Sequence, residues 1–169
     1  IHSRLELHSN AVNLRKKTKR FEKCGIDLSV KSHFSRNDVP AIIDSIKCMA
    51  GDNDDKYLSY LPMIKEVLYN KEREKYYRIF VFNHGDTIHG VYICEILSND
   101  TVGLYCAITS KEFPGITEWI DYYFFKQMYI SKIAYVLLGG SENKGVYEYV
   151  KKLLPLSPPY TMFTLSYLA

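Results

Sequence analysis

Three apolar runs joined only by short turns constrain this chain more than any other feature. Tyr76–Phe82, Thr87–Leu97 and Thr101–Ile108 are each of strand length, and NHGD and SND lie between them. Connections this short cannot carry a parallel crossover, so the three runs predict an antiparallel meander. The next connection is different. Thr117 can cap a helix over about Glu118–Tyr129, and Lys132–Leu138 is again of strand length. A strand–helix–strand passage from Thr101 to Leu138 predicts a parallel crossover of right-handed sense. The expected sheet is therefore mixed and mostly antiparallel.

The elements before the meander are helical. Ser9 or Asn10 can cap a helix that runs to Cys24 and stops at Gly25. Ile26–Lys31 alternates apolar and polar residues as a strand does. Ser35 or Asn37 can cap a second helix, with Pro40 in its first turn and Val39, Ile42, Ile43, Ile46 and Met49 on its apolar face. A third helix is expected over about Lys56–Asn70, kinked or divided at Pro62. GDNDD (51–55) is an acidic loop without the spacing of a calcium loop, and no metal is expected. His84 reads as a turn residue.

Lys132 to Pro155 carries the clearest candidate site. Its strand ends in Gly139–Gly140, followed by Ser141, Glu142 and Asn143 and then by an amphipathic helix, Val146–Leu154. Glycines permit a sharp bend or a close approach of backbone. A helix start offers free N–H groups and positive partial charge to an anion or an oxyanion. The plain alternative is a capped strand–helix connection. PLSPP (155–159) ends that helix, and Tyr160–Leu168 is expected as a closing strand.

Charge is distributed unevenly. Of the 22 Lys and Arg and 19 Asp and Glu, residues 1–35 hold eight and three, a difference of +5, and the remainder hold fourteen and sixteen. Arg15, Lys16, Lys17, Lys19, Arg20 and Lys23 surround a narrow stripe of Leu14, Thr18 and Phe21, with Glu22 as the one acid. The helix offers either a solvated face or a strip for phosphates of a nucleic acid, a cofactor tail or anionic lipid headgroups.

The four cysteines are widely spaced and form no CxxC, which points to a reducing, cytoplasmic compartment; Cys94 and Cys106 read as small buried apolar residues. No run of about 18 apolar residues is present, so no membrane span is expected. A length of 169 residues suits one domain, although a first residue Ile1 rather than Met is compatible with a piece of a longer protein. WIDYYFFKQMY (119–129) reads as core against the sheet, with self-association into a homodimer as the alternative.

This order of elements resembles the GNAT acyltransferase fold, an α+β architecture with a mixed, mostly antiparallel sheet and helices on both faces. LRKKTKRFEKCGIDL (14–28), HGVYICEIL (89–97) and YVLLGGSENKGVYEYVKKLLP (135–155) are similar to the GNAT-type domains of the Fem aminoacyltransferases and of lysyl-phosphatidylglycerol synthases. The likeness covers most of residues 10–160. It implies transfer of an acyl group from acyl-CoA or aminoacyl-tRNA to an amine or hydroxyl by direct attack, in a protein that often pairs two such domains. One segment departs from the pattern. Where acetyl-CoA-dependent members carry R/Q-x-x-G-x-G/A around the diphosphate, this chain reads TSKEFPGI (109–116), with the single Gly115.

Acyl transfer to an amine needs a base, a group that polarises the carbonyl and a proton for the leaving group. Glu95, the one ionised group of HGVYICEIL, is the first candidate base, with a raised pKa expected if it is buried. Its plainer reading is a solvent-exposed strand end. Glu142 at the Gly-Gly turn is the second candidate, and Tyr147 on the last helix matches the family's habit of a tyrosine acid. Gly139, Gly140, Ser141 and Asn143, with Lys16, Lys19 and Arg20, are the expected donor contacts. His89 is a weaker candidate. A non-catalytic module that binds nucleic acid or a protein through the basic helix is the alternative.

Overall fold

A computed structural model describes residues 12–51 and 55–137. In chain order they form α1 (Val12–Glu22), β1 (Ser29–Lys31), α2 (Val39–Ala50), α3 (Asp55–Tyr69), a single turn α4 (Arg73–Tyr76), β2 (Tyr77–His84), β3 (Thr87–Ile96), β4 (Thr101–Thr109), α5 (Ile116–Ile130) and β5 (Tyr135–Leu137). The five strands lie in the order β1-β2-β3-β4-β5. All neighbours are antiparallel except β4 and β5, which are parallel. The meander and the parallel return through a helix are both as the turn lengths require.

Each face of the sheet has its own core. On one face, Val39, Ile42, Ile43 and Ile46 of α2 and Ile64, Val67 and Leu68 of α3 pack on Ile79, Val81, Val91, Ile93, Cys106 and Ile108. On the other, Phe21 of α1 and Ile116, Ile120, Phe124 and Met128 of α5 pack on Phe82, Tyr92, Cys94 and Val102. Helices cover both faces; of the aromatic run of α5, Phe124 is buried and Trp119, Tyr123 and Phe125 pack half-buried against the second core. The alternation of strand residues feeds the two clusters in turn. A buried polar pair sits inside the second core, where the Tyr92 hydroxyl donates to Asp121 Oδ1 at 2.5 Å.

Several boundaries differ from expectation. Strand β1 is only three residues, because Ile26 and Leu28 pack into the second core before pairing begins at Ser29. Asp38, not Ser35 or Asn37, stands at the start of α2; its carboxylate accepts from the Ser35 N–H and hydroxyl at 2.6 and 2.9 Å, which holds its pKa below the usual value. Pro62 lies inside an unbroken α3. The turn α4 takes Tyr76 out of the strand. Thr117 is inside α5 and not its cap, and its hydroxyl meets that of Thr109 at 2.7 Å. Strand β5 is as little buried as β1, with Tyr135 and Leu137 exposed and Val136 packed inward. The last helix, the closing strand and GDNDD fall wholly or largely outside the described residues.

Candidate functional site

Strand β4 is the centre of the candidate site, since it borders both the meander and the parallel strand. Its pairing with β5 covers Thr101–Gly103 against Tyr135–Leu137. Two residues further on, its pairing with β3 slips: Cys94 faces Leu104 and Ile93 faces Cys106, leaving Tyr105 as an extra residue. Such a bulge re-aims side chains. Leu104 packs into the α5 core, whereas Tyr105 and Cys106 both turn to the α2–α3 face.

That face gathers a distinct set of groups. Tyr77 opens β2 opposite Glu95, and Glu95 is opposite Gly103 of β4. The rings of Tyr77 and Tyr105 meet edge to face at 6.4 Å. Burial first, and then Tyr77, Glu95 and Glu66 of α3, push the Tyr105 hydroxyl above its ordinary pKa. Glu95 itself is exposed. This is the plainer of its two placements, a solvent-exposed strand end: the pleat sets Glu95 on the α2–α3 face, past the buried stretch of β3.

The turn from β4 to α5 is fixed from three sides. A second bulge, in β3, leaves His89 unpaired between Ile88 and Gly90. The His89 carbonyl accepts the Ser110 N–H at 2.8 Å, and its Nδ1 lies 3.1 Å from Ser110 Oγ and 3.6 Å from Glu112 Oε2. Burial lowers the pKa of His89, with Glu112 acting in the opposite direction and His84 in the same one. Both polar neighbours meet the same ring nitrogen, so this trio lacks the two-sided relay of a nucleophile triad. Phe113 lies between His89 and Phe21 of α1, its ring tilted to both. Gly115 has φ of +85°, and a Cβ built on it would lie 2.1 Å from the Lys17 carbonyl oxygen of α1. The Lys17 ammonium pairs with Glu118 in the first turn of α5.

Helix α1 thus docks on α5 through Phe21, which also meets Trp119 at 5.6 Å. Lys16, Lys19, Arg20 and Lys23 are exposed, and helical geometry sets them within an arc of roughly 100° on the side away from Phe21. Among the described residues none of these four is in an ion pair, whereas Lys17 is.

The structure thus brings Glu95 together with Tyr77 and Tyr105, neither of which the sequence reading had singled out. It holds Lys16, Lys19 and Arg20 on one strip, away from Glu95's strand. Gly139, Gly140, Ser141, Glu142, Asn143 and Tyr147 lie outside the described residues. Cys94 and Cys106 are buried, each thiol pushed up to about 12 by desolvation, while Cys24 and Cys48 are exposed. No helix among the described residues is long and apolar enough to cross a membrane.

No family profile and no curated protein matches the sequence. Solved structures do match in fold. The PaiA N-acetyltransferase of Thermoplasma acidophilum, in complex with coenzyme A, superposes with a TM-score of 0.56 at 13% identity over 75% of this chain and 88% of its own. The aminoglycoside acetyltransferase AAC(6')-Iy, in complex with a CoA-S-monomethyl-acetylneamine bisubstrate analogue, gives 0.55 at 11% over 85% and 99%. A conserved protein of unknown function from Bacteroides thetaiotaomicron gives 0.69 at 11% over 88% of this chain and 51% of its own. The two-sided mixed sheet, with its parallel β4–β5 pair reached through α5, is the fold of the GNAT acetyltransferases.

Proposed function

We propose that this domain is an acyltransferase that moves an acyl group from acyl-CoA or aminoacyl-tRNA to an amine or hydroxyl acceptor by direct attack. The observation that carries the proposal is topological. An antiparallel meander, a helix and a parallel return strand beside β4 recur in neighbours whose complexes contain coenzyme A.

The chemistry is the same for either donor. A lone pair of the acceptor forms a new bond to the donor's carbonyl carbon, and the carbonyl π electrons move to oxygen. Collapse re-forms the carbonyl and breaks the carbon–sulfur or carbon–oxygen bond, and the leaving thiolate or alkoxide takes up a proton. The acceptor's proton passes to a base. Glu95 is the candidate base, with Glu142 as the second and Tyr147 as the candidate acid. Gly139, Gly140, Ser141 and Asn143 are the candidate donor contacts.

Coenzyme A does not fit the β4–α5 turn by the usual means. A diphosphate cradle needs several backbone N–H groups converging on open space. Here Pro114 has no N–H, the Ile116 N–H is bonded to the Phe113 carbonyl, and the Lys17 backbone covers Gly115. No step is therefore assigned to the donor's phosphates at this turn.

The test is thermal unfolding with and without coenzyme A, acetyl-CoA and a longer acyl-CoA, followed by transfer assays with charged tRNA. A ligand at about 100 times its dissociation constant adds about 2.7 kcal/mol to the folded state. Turnover with either donor, lowered ~100-fold by Glu95→Gln, supports the reading with Glu95 as base. Wild-type turnover in that variant removes Glu95 from the role. Absence of transfer from both donor types refutes the activity.

A second reading is favoured by the strip of Lys16, Lys19, Arg20 and Lys23. A module that binds nucleic acid through α1 would lose affinity steeply with salt and on reversal of these four charges. Equal binding by the charge-reversed variant excludes it.

A further inference from the structure

The β4 bulge has a consequence for the acceptor side of the proposed reaction. In a regular ladder successive residues of β4 would alternate between the two cores. The slip at Tyr105 instead sends Tyr105 and Cys106 to the same face. Cys106 fills the core. Tyr105 is only half-buried, with its ring against Tyr77, and lies two residues past the last described β4–β5 pair. Glu95 is the cross-strand partner of Tyr77 and so stands on this same face.

The geometry points to Tyr105 as a residue that orients the acceptor, holding an incoming ammonium group beside the Glu95 carboxylate with the Tyr77 ring as the wall of the subsite. The word acceptor rests on the acyltransferase reading; the binding of the amine does not. Three properties of the site select this chemistry. An aromatic face attracts a cation placed over it. Every ionisable neighbour that acts on Tyr105 is an acid or a neutral group: Tyr77, Glu95, Glu66 and Cys106. A phenol kept protonated offers an oxygen that accepts from an N–H. An anionic acceptor would meet two carboxylates, and a neutral alcohol would leave the charge of the site unused.

The experiment is an amide-shift titration by two-dimensional NMR, with butylamine and, separately, butanol as probes. Butylamine should move the amides of Tyr77, Glu95 and Gly103–Cys106, and butanol should not. Tyr105→Phe keeps the ring and the fold but loses the hydroxyl, so it should weaken butylamine binding roughly 2- to 10-fold, the value of one hydrogen bond. Tyr105→Leu should abolish it, with the rest of the spectrum unchanged. In turnover assays, Tyr105→Phe should lower kcat/KM for an amine acceptor while the KM of the donor stays the same. Shifts confined to other surfaces, or wild-type affinity in Tyr105→Leu, overturn the proposal. Amine binding at Tyr105 without transfer to any acceptor sinks the acyltransferase reading and leaves this subsite standing. Transfer with wild-type kinetics in both Tyr105 variants does the reverse.

Discussion

Gly115→Ala should separate α1 from α5, and the structure sets the magnitude. Gly115 has φ of +85°. A side chain in that region costs about 1–2 kcal/mol. The added methyl carbon would stand 2.1 Å from the Lys17 carbonyl oxygen, where real contacts begin near 3.0 Å. The obstacle is backbone and cannot rotate away. The joint must therefore open by about 1 Å, which close-packed interiors do not absorb. The cheaper response is to lift α1, losing the burial of Phe21, which is 1% exposed. That burial is worth about 1.5–3 kcal/mol. The total loss is about 2.5–5 kcal/mol. Gly90→Ala is the control, since its nearest obstacle is the tip of the Ile120 side chain at 2.8 Å, which can move. It should cost about 1–2 kcal/mol. Urea unfolding read by circular dichroism gives the stabilities. The single tryptophan, Trp119, stacks on Tyr123 and meets Phe21 at a tilt, so its fluorescence reports the joint. A Gly115→Ala variant within about 1 kcal/mol of wild type, with unchanged emission, refutes the reasoning.

Two further predictions concern titratable groups. Burial lowers the pKa of His89 below its ordinary 6.5, so the unfolded chain binds the proton more readily. Its neutral form supports the fold fully above about pH 6.5 and is lost as the pH falls below that value. Urea midpoints should drop between pH 7.5 and 5.5 by less in His89→Gln than in wild type; equal drops would remove His89 as a source of the acid sensitivity. Of the four thiols, exposed Cys24 and Cys48 should react rapidly with a disulfide reagent, and Cys94 and Cys106, pushed up to about 12, only on unfolding. Four equally fast thiols would contradict the buried placement.

The sequence by itself determined the elements whose signal is local. Turn length made β2, β3 and β4 a meander, because a few residues can join only antiparallel strands. Apolar spacing placed Val39, Ile42, Ile43 and Ile46 on one face of α2, and Gly25, at φ of +67°, closes the turn that follows α1, whose last helical residue is Glu22 and not Cys24. The basic strip of α1 was equally readable, since helical periodicity alone sets Lys16, Lys19, Arg20 and Lys23 on one side.

Only the tertiary structure decided what depends on register or on contact between distant segments. The run VGLYCAI carries no mark of its bulge, because a slip of one residue is set by the neighbouring strand's packing. Tyr105 and its partner Tyr77 were therefore invisible as a site. Whether Glu95 was buried or a solvent-exposed strand end stayed open for the related reason that apolar neighbours in sequence do not say where a strand leaves the core. Single Gly115 was legible as a departure from a phosphate loop. That α1, about a hundred residues away in sequence, lies against it and closes the turn follows only from the packing of Phe21 and Lys17 on α5.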